Sequence, residues 1–547
     1  MKLLLPSFIS AAIDDDGFLF RGLHWLEGDE DVLLVLWKMW VEVRRAVVAP
    51  VLRFVTFSCM IMSVMLVLEF VWMGAVSLGV KLLRRRPEKR YKWEVFKEQD
   101  EDVELGTLVY PMVLVQIPMF NEKEVYKLSI GAACGLEWPP DRIIIQVLDD
   151  STDPIIKALV ELECKAWASK GRNINYEVRN NRKGYKAGAL REGMGYSYVN
   201  QCDFVAIFDA DFQPDPNFLL RAMPFLVNNP KIALVQARWD FVNIDECLMT
   251  RIQKMSLDYH FKVEQEAGSS AFAFFGFNGT AGIWRIAAIN EVGGWKDRTT
   301  VEDMDLAVRA SLKGWEFLYV GDLKVKSELP CNFKTYRHQQ HRWTCGPANL
   351  FRKMAKDIVK AKEVSLWKKF YMVYSFFFVR KIISPIVTFF LYSVVIPASV
   401  MVPEVSIPTW VVVYIPTTIS LLNAIRNPRS IHLMPLWILF ENVMSMHRMK
   451  SMMIGLFEVG SVNEWVVTEK LGDALNANPE IHLLEKPPNK FRERLNFSEL
   501  GFAVFLLFAA SYDLAFGLNL YCIYIFLQAI AFLVVGFGMV GKHVSNS

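Results

Sequence analysis

Five short apolar runs recur between residues 111 and 350, and each is followed by a more polar, helix-like segment. Apolar runs of this length are typical of strands that are buried on both faces, and helical segments between them favour a doubly wound α/β sheet. The pattern therefore predicts an α/β domain over residues 108–350. The five predicted strands are Val113–Ile117, Ile143–Leu148, Val205–Phe208, Ala233–Val235 and Phe317–Val320.

Longer apolar segments flank the predicted domain on both sides. Residues 54–80 carry a single acid, Glu69, and exceed the roughly 20 residues that a helix needs to cross a bilayer. The chain of 547 residues is 53% hydrophobic, which is high for a soluble protein. We therefore predict a polytopic membrane protein with one span at 54–80, two spans within 382–425 and two within 500–540.

Amphipathic segments separate these spans. Residues 1–53 contain an amphipathic helix, and residues 351–381 are predicted to form interfacial helices. Residues 431–497 begin with a helix whose apolar run is interrupted by charges that include Glu441 and Arg448. Because charges are costly at the bilayer centre, we predict that this helix lies in the interface. The loop that follows it then lies on the same side of the membrane as the α/β domain.

Charge and cysteine usage argue against several other classes of protein. The net charge is only +3, and the basic run RRRPEKRYK at 84–92 directly follows an apolar span, which is typical of a membrane flank rather than of a nucleic-acid site. The eight cysteines contain no CxxC pair, so they predict neither a disulfide scaffold nor a zinc site. The chain has no GxxxxGK[ST] and no GxGxxG, which leaves a P-loop NTPase and a dinucleotide-binding fold unsupported.

Acidic residues follow two of the predicted strands at the point where each strand ends. The run FVAIFDADFQPDP places Asp209 and Asp211 after one strand, and RIIIQVLDDSTD places Asp149 and Asp150 after another. Ligands bind at the carboxyl ends of strands in open α/β sheets, and paired carboxylates can hold Mg²⁺ together with a diphosphate. A solvated turn explains either motif alone, but the two together favour one site.

Two further segments offer contacts to such a site. Lys186 lies among small residues in RKGYKAGALREG at a predicted helix start, where its ammonium would neutralise phosphate charge. A solvated lysine is the alternative. The run FFGFNGTAGIWR, residues 274–285, would form either a groove for a flat ring or a Gly-rich turn followed by a core helix.

An acidic helix start follows in TTVEDMDLAVRASLKGW. It carries Glu302, Asp303 and Asp305. Acids at this position cap a helix and interact favourably with its dipole, which is the structural interpretation. An acid there that faces the cleft would instead be a well-placed general base.

A basic and aromatic cluster occurs in HQQHRWTCGP. Gln339, Arg342 and Trp343 fall within one helical turn. A guanidinium can bind a diphosphate in a bidentate manner while an indole stacks on a sugar or base. Helices of this composition also flank membranes, so the cluster alone does not decide between the two.

The ordered motifs DDS, DAD, VED and QQHRW resemble the D, DxD, TED, QxxRW signature of the processive family 2 glycosyltransferases, the group of cellulose, hyaluronan and chitin synthases. Over residues 50–541, runs such as QIPMFNE, GAACGLEWPPDR, GYKAGAL, TTVEDMDLAVRASLKGW and QQHRWTCGPANLFRKM look like those of the plant cellulose synthase-like A proteins, which are glucomannan 4-β-mannosyltransferases. The resemblance implies an α/β domain of the glycosyltransferase-A type, inserted between transmembrane helices.

The resemblance also implies a role for each motif. Asp150, together with Asp149, would contact the nucleotide, and Asp150 counts as a catalytic residue. Asp209 and Asp211 would hold the diphosphate and a Mg²⁺ or Mn²⁺ ion, and Asp303 would be the catalytic base. The leaving nucleotide diphosphate and the acceptor end would be bound by Lys186, Gln339, Arg342 and Trp343.

A further motif, WVVTEK, resembles the FxVTxK gating loop of cellulose synthases. It implies that Trp465, Thr468 and Lys470 close the site over the donor. Two positions depart from the family pattern. VED replaces TED although both acids are kept, and Trp239 stands where bacterial cellulose synthase has a His near the metal. Only the two DAD acids are therefore predicted as metal ligands.

The implied function is processive, inverting transfer of mannose from GDP-mannose, and of glucose from GDP-glucose, to the 4-hydroxyl of a growing β-1,4-mannan or glucomannan chain. The alternative is a β-1,4-glucan synthase of the cellulose synthase-like C type that uses UDP-glucose. A dolichol-phosphate sugar synthase lacks a QxxRW motif, and a channel or carrier lacks a domain with acids at its strand ends.

The expected setting is the Golgi apparatus membrane, in which the protein crosses the bilayer several times. The expected partners are the two GDP-sugar donors, the mannan or glucomannan acceptor chain and membrane lipid, with no nucleic acid. A homo-oligomer or an accessory cell-wall protein is left open as a further partner.

Overall fold

A mixed β-sheet formed by the apolar runs lies at the centre of the fold. The structure is a computed structural model that describes residues 30–96, 107–179, 181–425, 428–459, 495–516 and 521–541. The strands are β1 (Val113–Met119), β2 (Ile143–Asp149), β3 (Ile174–Val178), β4 (Phe204–Ile207), β5 (Gln213–Pro214), β6 (Ile232–Phe241), β7 (Gly282–Arg285) and β8 (Glu316–Ser327).

The strands of the described sheet lie in the order β3-β2-β1-β4-β7-β6-β8-β5. Strands β1 to β4 pair in parallel, as do β6 and β8, whereas β7 runs antiparallel to both β4 and β6. All five predicted strands are confirmed. Within the run 274–285, β7 follows the glycine-rich turn, and the helix Ile286–Glu291 comes only after this strand.

The apolar runs form strands because both faces of the sheet are covered. In β1, Val113, Val115 and Ile117 contribute to one hydrophobic core, while Leu114 contributes to the core on the other face. Successive side chains of a strand point to opposite faces, so a continuous apolar run suits a strand that is buried on both.

Helices cover the sheet and carry polar residues to its edge. They are α3 (Tyr126–Cys134), α4 (Pro154–Ser169), α5 (Tyr185–Gly193), α6 (Phe218–Asn228), α7 (Leu248–Tyr259), α8 (Glu266–Phe272), α9 (Ile286–Glu291) and α10 (Glu302–Leu312), preceded in the chain by α1 (Glu30–Val43) and α2 (Ala49–Leu82). A π-helical segment, His260–Gln265, joins α7 to α8.

A long helical stretch precedes the sheet. The amphipathic helix predicted within residues 1–53 and the span predicted at 54–80 run on from each other, because the π-helical turn Arg44–Val48 joins α1 to α2. The single acid of residues 54–80, Glu69, is buried and accepts a hydrogen bond of 2.5 Å from the Ser375 hydroxyl. Arg380 lies 3.5 Å from the same carboxylate. An acid within an apolar helix thus has a cationic partner on a neighbouring helix.

The C-terminal half of the chain is helical. Its elements are α11 (Phe333–Lys360), α12 (Leu366–Phe370), α13 (Ser384–Phe389), α14 (Ile396–Ser399), α15 (Ile415–Ile425), α16 (Met434–Phe457), α17 (Phe497–Phe516) and α18 (Tyr521–Gly536), with π-helical segments at Tyr371–Ile383, Phe390–Val395 and Trp410–Tyr414. In the described part of the chain, three stretches are long and apolar enough to cross a membrane, namely Val35–Leu82, Leu366–Ser399 and Phe497–Phe516.

Helices α11 and α16 approach each other closely. A Cβ added at Gly455 of α16 would lie 2.1 Å from the carbonyl oxygen of Cys345 of α11, so only glycine permits this approach. The charged side of α16 also faces α11, because Arg448 donates to Gln340 at 2.9 Å. Some of the charged side chains that interrupt the apolar run of α16 therefore have polar partners on a neighbouring helix.

Candidate active site

The acids at the ends of β2 and β4 meet in one pocket because both strands pair in parallel with β1. Asp150, Asp209 and Asp211 line this pocket together with Lys186 and Arg342. Its volume is about 120 Å³. We call it the carboxylate pocket. The arrangement confirms the expectation that the two acidic motifs lie at one edge of the sheet.

The three acids of the DDSTD run have different surroundings. Asp149 is fully buried and accepts hydrogen bonds of 2.8 Å from both the Ser151 backbone N–H and the Tyr176 hydroxyl. Asp150 lines the carboxylate pocket and forms a bidentate ion pair with Arg179, whose Nε lies 2.6 Å from Oδ1. Asp153 caps α4. Asp149 therefore shapes the strand end, and Asp150 is the member of the run that reaches the pocket.

Lys186 lies in the first turn of α5, as predicted. Gly184 precedes the helix with a φ of +75°, a conformation that glycine adopts without strain. The Lys186 ammonium pairs with Asp209 and donates to the Gly279 carbonyl at 3.0 Å. Burial alone would lower the pKa of Lys186, but Asp209 and Glu302 raise it above its ordinary value. The lysine is thus a fixed cation in the pocket.

The DAD acids provide oxygen ligands of the kind that a hard divalent cation prefers. Asp209 is about one-third exposed, and Asp211 is buried with its carboxylate 3.3 Å from the Ser327 hydroxyl. Across the residues that the structure describes, no group of three or more His, Cys, Asp or Glu side chains surrounds a common point. Two carboxylates fit a Mg²⁺ or Mn²⁺ ion that takes its remaining ligands from phosphate and water.

The acidic helix start of α10 places Asp303 between the carboxylate pocket and a second pocket. Burial raises the pKa of Asp303 to about 6, although Lys186 and Arg342 act in the opposite direction. Burial and the neighbouring Asp303 raise the pKa of Glu302 to about 8. Met304 donates its backbone N–H to Asp303 Oδ1 at 2.7 Å, which leaves the other carboxylate oxygen facing the site.

The third acid of this motif does not belong to the site. Asp305 is fully buried and pairs with Arg298 and Arg309, with Arg309 Nε 2.7 Å from Oδ2. Two positions along a helix correspond to a rotation of about 200°, so Asp303 and Asp305 point to opposite sides, and one sequence motif contains both a pocket residue and a structural ion pair.

Gly279 lies at the boundary of the two pockets. Its φ is +80°, and a Cβ added there would lie 2.8 Å from Asp303 Oδ2 and 3.4 Å from Lys186 Nζ. Because Gly279 has no side chain, Asp303 and Lys186 can both lie close to the backbone at this position. This is the physical reason for a glycine at this position of FFGFNGTAGIWR.

The second pocket, which we call the tryptophan pocket, has a volume of about 370 Å³. Asp303 and Asn278 line it, as do the rings of Trp239 and Trp343, whose centroids are 6.4 Å apart. Two indole rings beside a carboxylate form the kind of apolar surface with few polar groups that binds a sugar. The groove predicted at residues 274–285 forms one side of this pocket, and Trp239 contributes a ring where the bacterial enzyme has a His.

Helix α11 contributes side chains to both pockets, because neighbouring residues of one helical turn point in different directions. Arg342 lines the carboxylate pocket, whereas Gln339 and Trp343 line the tryptophan pocket. The predicted cluster is thus divided, with the guanidinium on the side of the DAD acids and the indole on the side of Asp303.

Sequence patterns did not identify several residues that line these pockets or support their lining residues. Arg179 follows β3, which was itself not predicted, and its role becomes visible only through the ion pair with Asp150. Glu441 and Arg448 reach the tryptophan pocket from α16, and His260 reaches it from the segment after α7. His260 lies 3.1 Å from the Asn278 side-chain oxygen. The predicted gating residues Trp465, Thr468 and Lys470 lie outside the described residues.

Comparison with known proteins identifies the family. The family model "Glycosyl transferase family 2" matches residues 114–280, and "Glycosyl transferase family group 2" matches residues 204–422. The sheet and these matches together confirm the predicted glycosyltransferase-A-type fold. Among solved structures, the mannosyltransferase PcManGT from Pyrobaculum calidifontis in complex with GDP-Man and Mn²⁺ is similar at 17% identity, with a TM-score of 0.47, over 72% of this chain and 100% of that chain.

Near full-length relatives are much more similar. Probable glucomannan 4-beta-mannosyltransferase 4 of Oryza sativa subsp. japonica is 67% identical over 497 residues, which cover 88% of this chain and 90% of that protein. Glucomannan 4-beta-mannosyltransferase 9 of Arabidopsis thaliana is 62% identical over 517 residues, which cover 94% and 96% of the two chains. The chain therefore belongs to the glucomannan 4-β-mannosyltransferases, a group within the family 2 glycosyltransferases.

Proposed function

We propose that the protein transfers mannose from GDP-mannose to the 4-hydroxyl of a growing β-1,4-mannan chain, and that it also accepts GDP-glucose to make glucomannan. The relatives that carry this activity in their names support the donor and the linkage. The observation that carries the proposal is the position of Asp303, between a pocket of cations and carboxylates and a pocket of two tryptophans.

In this proposal the carboxylate pocket binds the nucleotide diphosphate of the donor. Lys186 and Arg342 supply fixed positive charge for the phosphates, because charge-assisted hydrogen bonds to phosphate are strong and a guanidinium can bind two oxygens. Asp150 contacts the nucleotide, and Arg179 holds its carboxylate in place through their bidentate pair. Asp149 supports this strand end from the interior.

The proposal includes a divalent cation held by Asp209 and Asp211. When bound, a Mg²⁺ or Mn²⁺ ion would neutralise the charge that develops on the leaving diphosphate. Lys186, which contacts Asp209, lies beside the same carboxylate and supplies a second positive charge to the leaving group.

Asp303 is proposed as the general base. It would take the proton from the acceptor hydroxyl as that oxygen attacks the anomeric carbon from the side opposite the diphosphate, which inverts the configuration. A base is most useful when its pKa lies near the working pH, and burial raises the pKa of Asp303 to about 6. The rings of Trp239 and Trp343 would hold the acceptor sugar beside it.

Purified full-length protein assayed with GDP-mannose, GDP-glucose and UDP-glucose tests the donor assignment. We expect mannose from GDP-mannose to enter a polymer that β-mannanase degrades, and glucose from GDP-glucose to enter it when both donors are present. Incorporation from UDP-glucose alone would instead identify the β-1,4-glucan synthase that is the alternative function.

The proposed location is the Golgi membrane. The apolar helices support a membrane protein. A fluorescent fusion that colocalises with a Golgi marker tests the compartment.

The proposed loop Trp465–Lys470 closes the site over the donor. Trp465→Ala should slow polymer synthesis while the thermal stability of the protein stays at the wild-type value.

A further inference from the structure

A third polar cavity lies where the end of α2 meets the sheet. We call it the junction cavity, and its volume is about 160 Å³. It is separate from the carboxylate and tryptophan pockets, and the proposed reaction uses none of its polar groups. Its lining includes the cations Lys81, Arg86, Arg238 and Lys262 and the acids Glu88, Glu266 and Asp322.

An irregularity between two strands opens this cavity. The register of β6 on β8 shifts from Ala237 opposite Val320 to Arg238 opposite Lys324, so residues 321–323 of β8 form a bulge. Gly321 and Asp322 of this bulge line the cavity. Bulges interrupt strand pairing and occur often beside functional sites. The cavity is therefore a consequence of this irregularity in strand pairing.

Two residues of the lining carry buried donors for which the described residues offer no hydrogen-bond partner. These donors are Nε of Arg238 and the hydroxyl of Tyr319. The Tyr319 side chain is almost fully buried, and its hydroxyl lies 3.8 Å from the position of a Cβ added at Gly321, which places it at the bulge. Burial raises the pKa of Tyr319, so the hydroxyl stays protonated and able to donate. Buried donors without partners are costly, and a bound acceptor removes that cost.

Three cations surround one buried carboxylate, Asp258, beneath the cavity. Arg238 Nη2 lies 2.8 Å from Asp258, and Lys262 Nζ lies 3.2 Å from it. Lys254 pairs with Asp258 as well but does not line the cavity. One carboxylate thus faces three cations. When the acids Glu88, Glu266 and Asp322 of the lining are counted with Asp258, and Lys254 with the four lining cations, five cations exceed four acids by one positive charge.

The cavity lies at the polar end of an apolar helix. Lys81 belongs to the last turn of α2, and Ser77, one turn earlier, donates to the Lys262 carbonyl at 2.9 Å. Exposed Arg84 and Arg85 follow the helix. A basic cluster directly after an apolar span marks the level of the lipid headgroups, where anionic lipids attract lysine and arginine.

We propose that the junction cavity binds a phosphate group, which in the membrane belongs to the headgroup of an anionic phospholipid. Arg238 and Tyr319 would donate to the phosphate oxygens, and Lys81 and Lys262 would supply further charge. A cavity of about 160 Å³ is large enough for one phosphate group. Because Trp239 follows Arg238 on β6 and lines the tryptophan pocket, the bound phosphate would also fix the strand that carries this ring.

The experiment uses full-length protein in detergent micelles and measures the shift in melting temperature on titration with dioctanoyl phosphatidic acid, dioctanoyl phosphatidylcholine or inorganic phosphate. We expect saturable stabilisation by phosphatidic acid and a much smaller effect of phosphatidylcholine. Tyr319→Phe should weaken the apparent affinity about 10-fold or more, the effect of losing a hydrogen bond to a charged group, with little change in stability without lipid. Lys262→Gln should weaken it as well.

Lys254→Gln is the matched control, because this lysine pairs with the same Asp258 outside the cavity. It should retain the affinity of the wild-type protein. Equal affinity for phosphatidic acid in the wild type, Tyr319→Phe and Lys262→Gln would overturn the site, as would the absence of any stabilisation. Stabilisation by inorganic phosphate alone, lost in Tyr319→Phe, would overturn the lipid assignment and identify a free anion as the ligand.

Discussion

The carboxylate pocket and the tryptophan pocket meet at Asp303 and Gly279 but are assembled in different ways. The first takes its acids and Lys186 from strand ends and from the first turn of α5, close to the sheet in sequence and in space, and receives Arg342 from α11. The second takes its rings and charges from β6, α11 and α16, which are far apart in the chain. Diphosphate chemistry thus rests on the sheet, whereas the sugar-binding surface depends on how helices pack against it.

This difference predicts that treatments aimed at one pocket leave the other intact. Chelation of divalent cations should have the largest effect, because it acts on the carboxylate pocket alone. We expect mannose transfer to fall to background and to return with Mg²⁺ or Mn²⁺. Asp211→Asn should lose both transfer and the binding of Mn²⁺ measured by electron paramagnetic resonance. Full activity in excess chelator would contradict a metal in the carboxylate pocket.

The boundary residue should show the next largest effect. Asp303→Asn keeps the shape of the side chain and an oxygen that can accept the Met304 N–H but removes the base, so kcat should fall about 10² to 10⁴-fold while KM for GDP-mannose changes little. Asp141→Asn, at an exposed turn outside both pockets, is the control and should match the wild type. Asp305→Asn would be a poor control because Asp305 is a buried partner of two arginines. A loss confined to KM would assign Asp303 to donor binding.

The pH dependence should sharpen the assignment of the base. The carboxylate of Asp303 must be deprotonated to accept a proton, and burial raises its pKa to about 6. As pH falls below that value, kcat/KM should fall about 10-fold per unit because the protonated fraction grows. Below pH 6 the profile of Asp303→Asn should lack this limb. An unchanged limb in the variant would mean that another group titrates.

The smallest effect is expected from the tryptophan pocket. Trp343→Ala removes one of two rings, and aromatic contacts of this kind contribute about 0.5–1.5 kcal/mol, so acceptor affinity should weaken about 2- to 10-fold. The product should be shorter, while KM for GDP-mannose stays at the wild-type value. Trp343→Phe should recover part of the loss. An equal loss of donor affinity would show that the two pockets are not independent.

The same contrast explains what could be predicted from the sequence. The strands and their terminal acids are local features, since a buried parallel strand requires a continuous apolar run and its end is marked by polar residues. For that reason Asp150, Asp209 and Asp211 were predicted at one edge of the sheet, and Lys186 at a helix start. The resemblance to a known family added Asp303 as a separate candidate.

The tryptophan pocket could not be predicted to the same extent. Arg448 and Glu441 lie in a helix whose apolar composition indicates a membrane surface, and nothing in the local pattern shows that they face α11. The residue pattern alone does not distinguish Asp303 from Asp305. The family resemblance singles out Asp303, and the structure separates the two because Asp305 pairs with Arg298 and Arg309. The antiparallel β7 was also missed, because a run of four residues that begins with a glycine is too short to distinguish from a turn.

The close approach of α11 and α16 at Gly455 has a consequence for natural variation among related chains. A methyl group at this position would push the two helices apart, and both helices supply residues to the tryptophan pocket. Replacement of Gly455 would therefore change the width of a sugar-binding surface that the residue itself does not touch. Variants at Gly455, where the two helices pack against each other, would then differ from the wild type in polymer length.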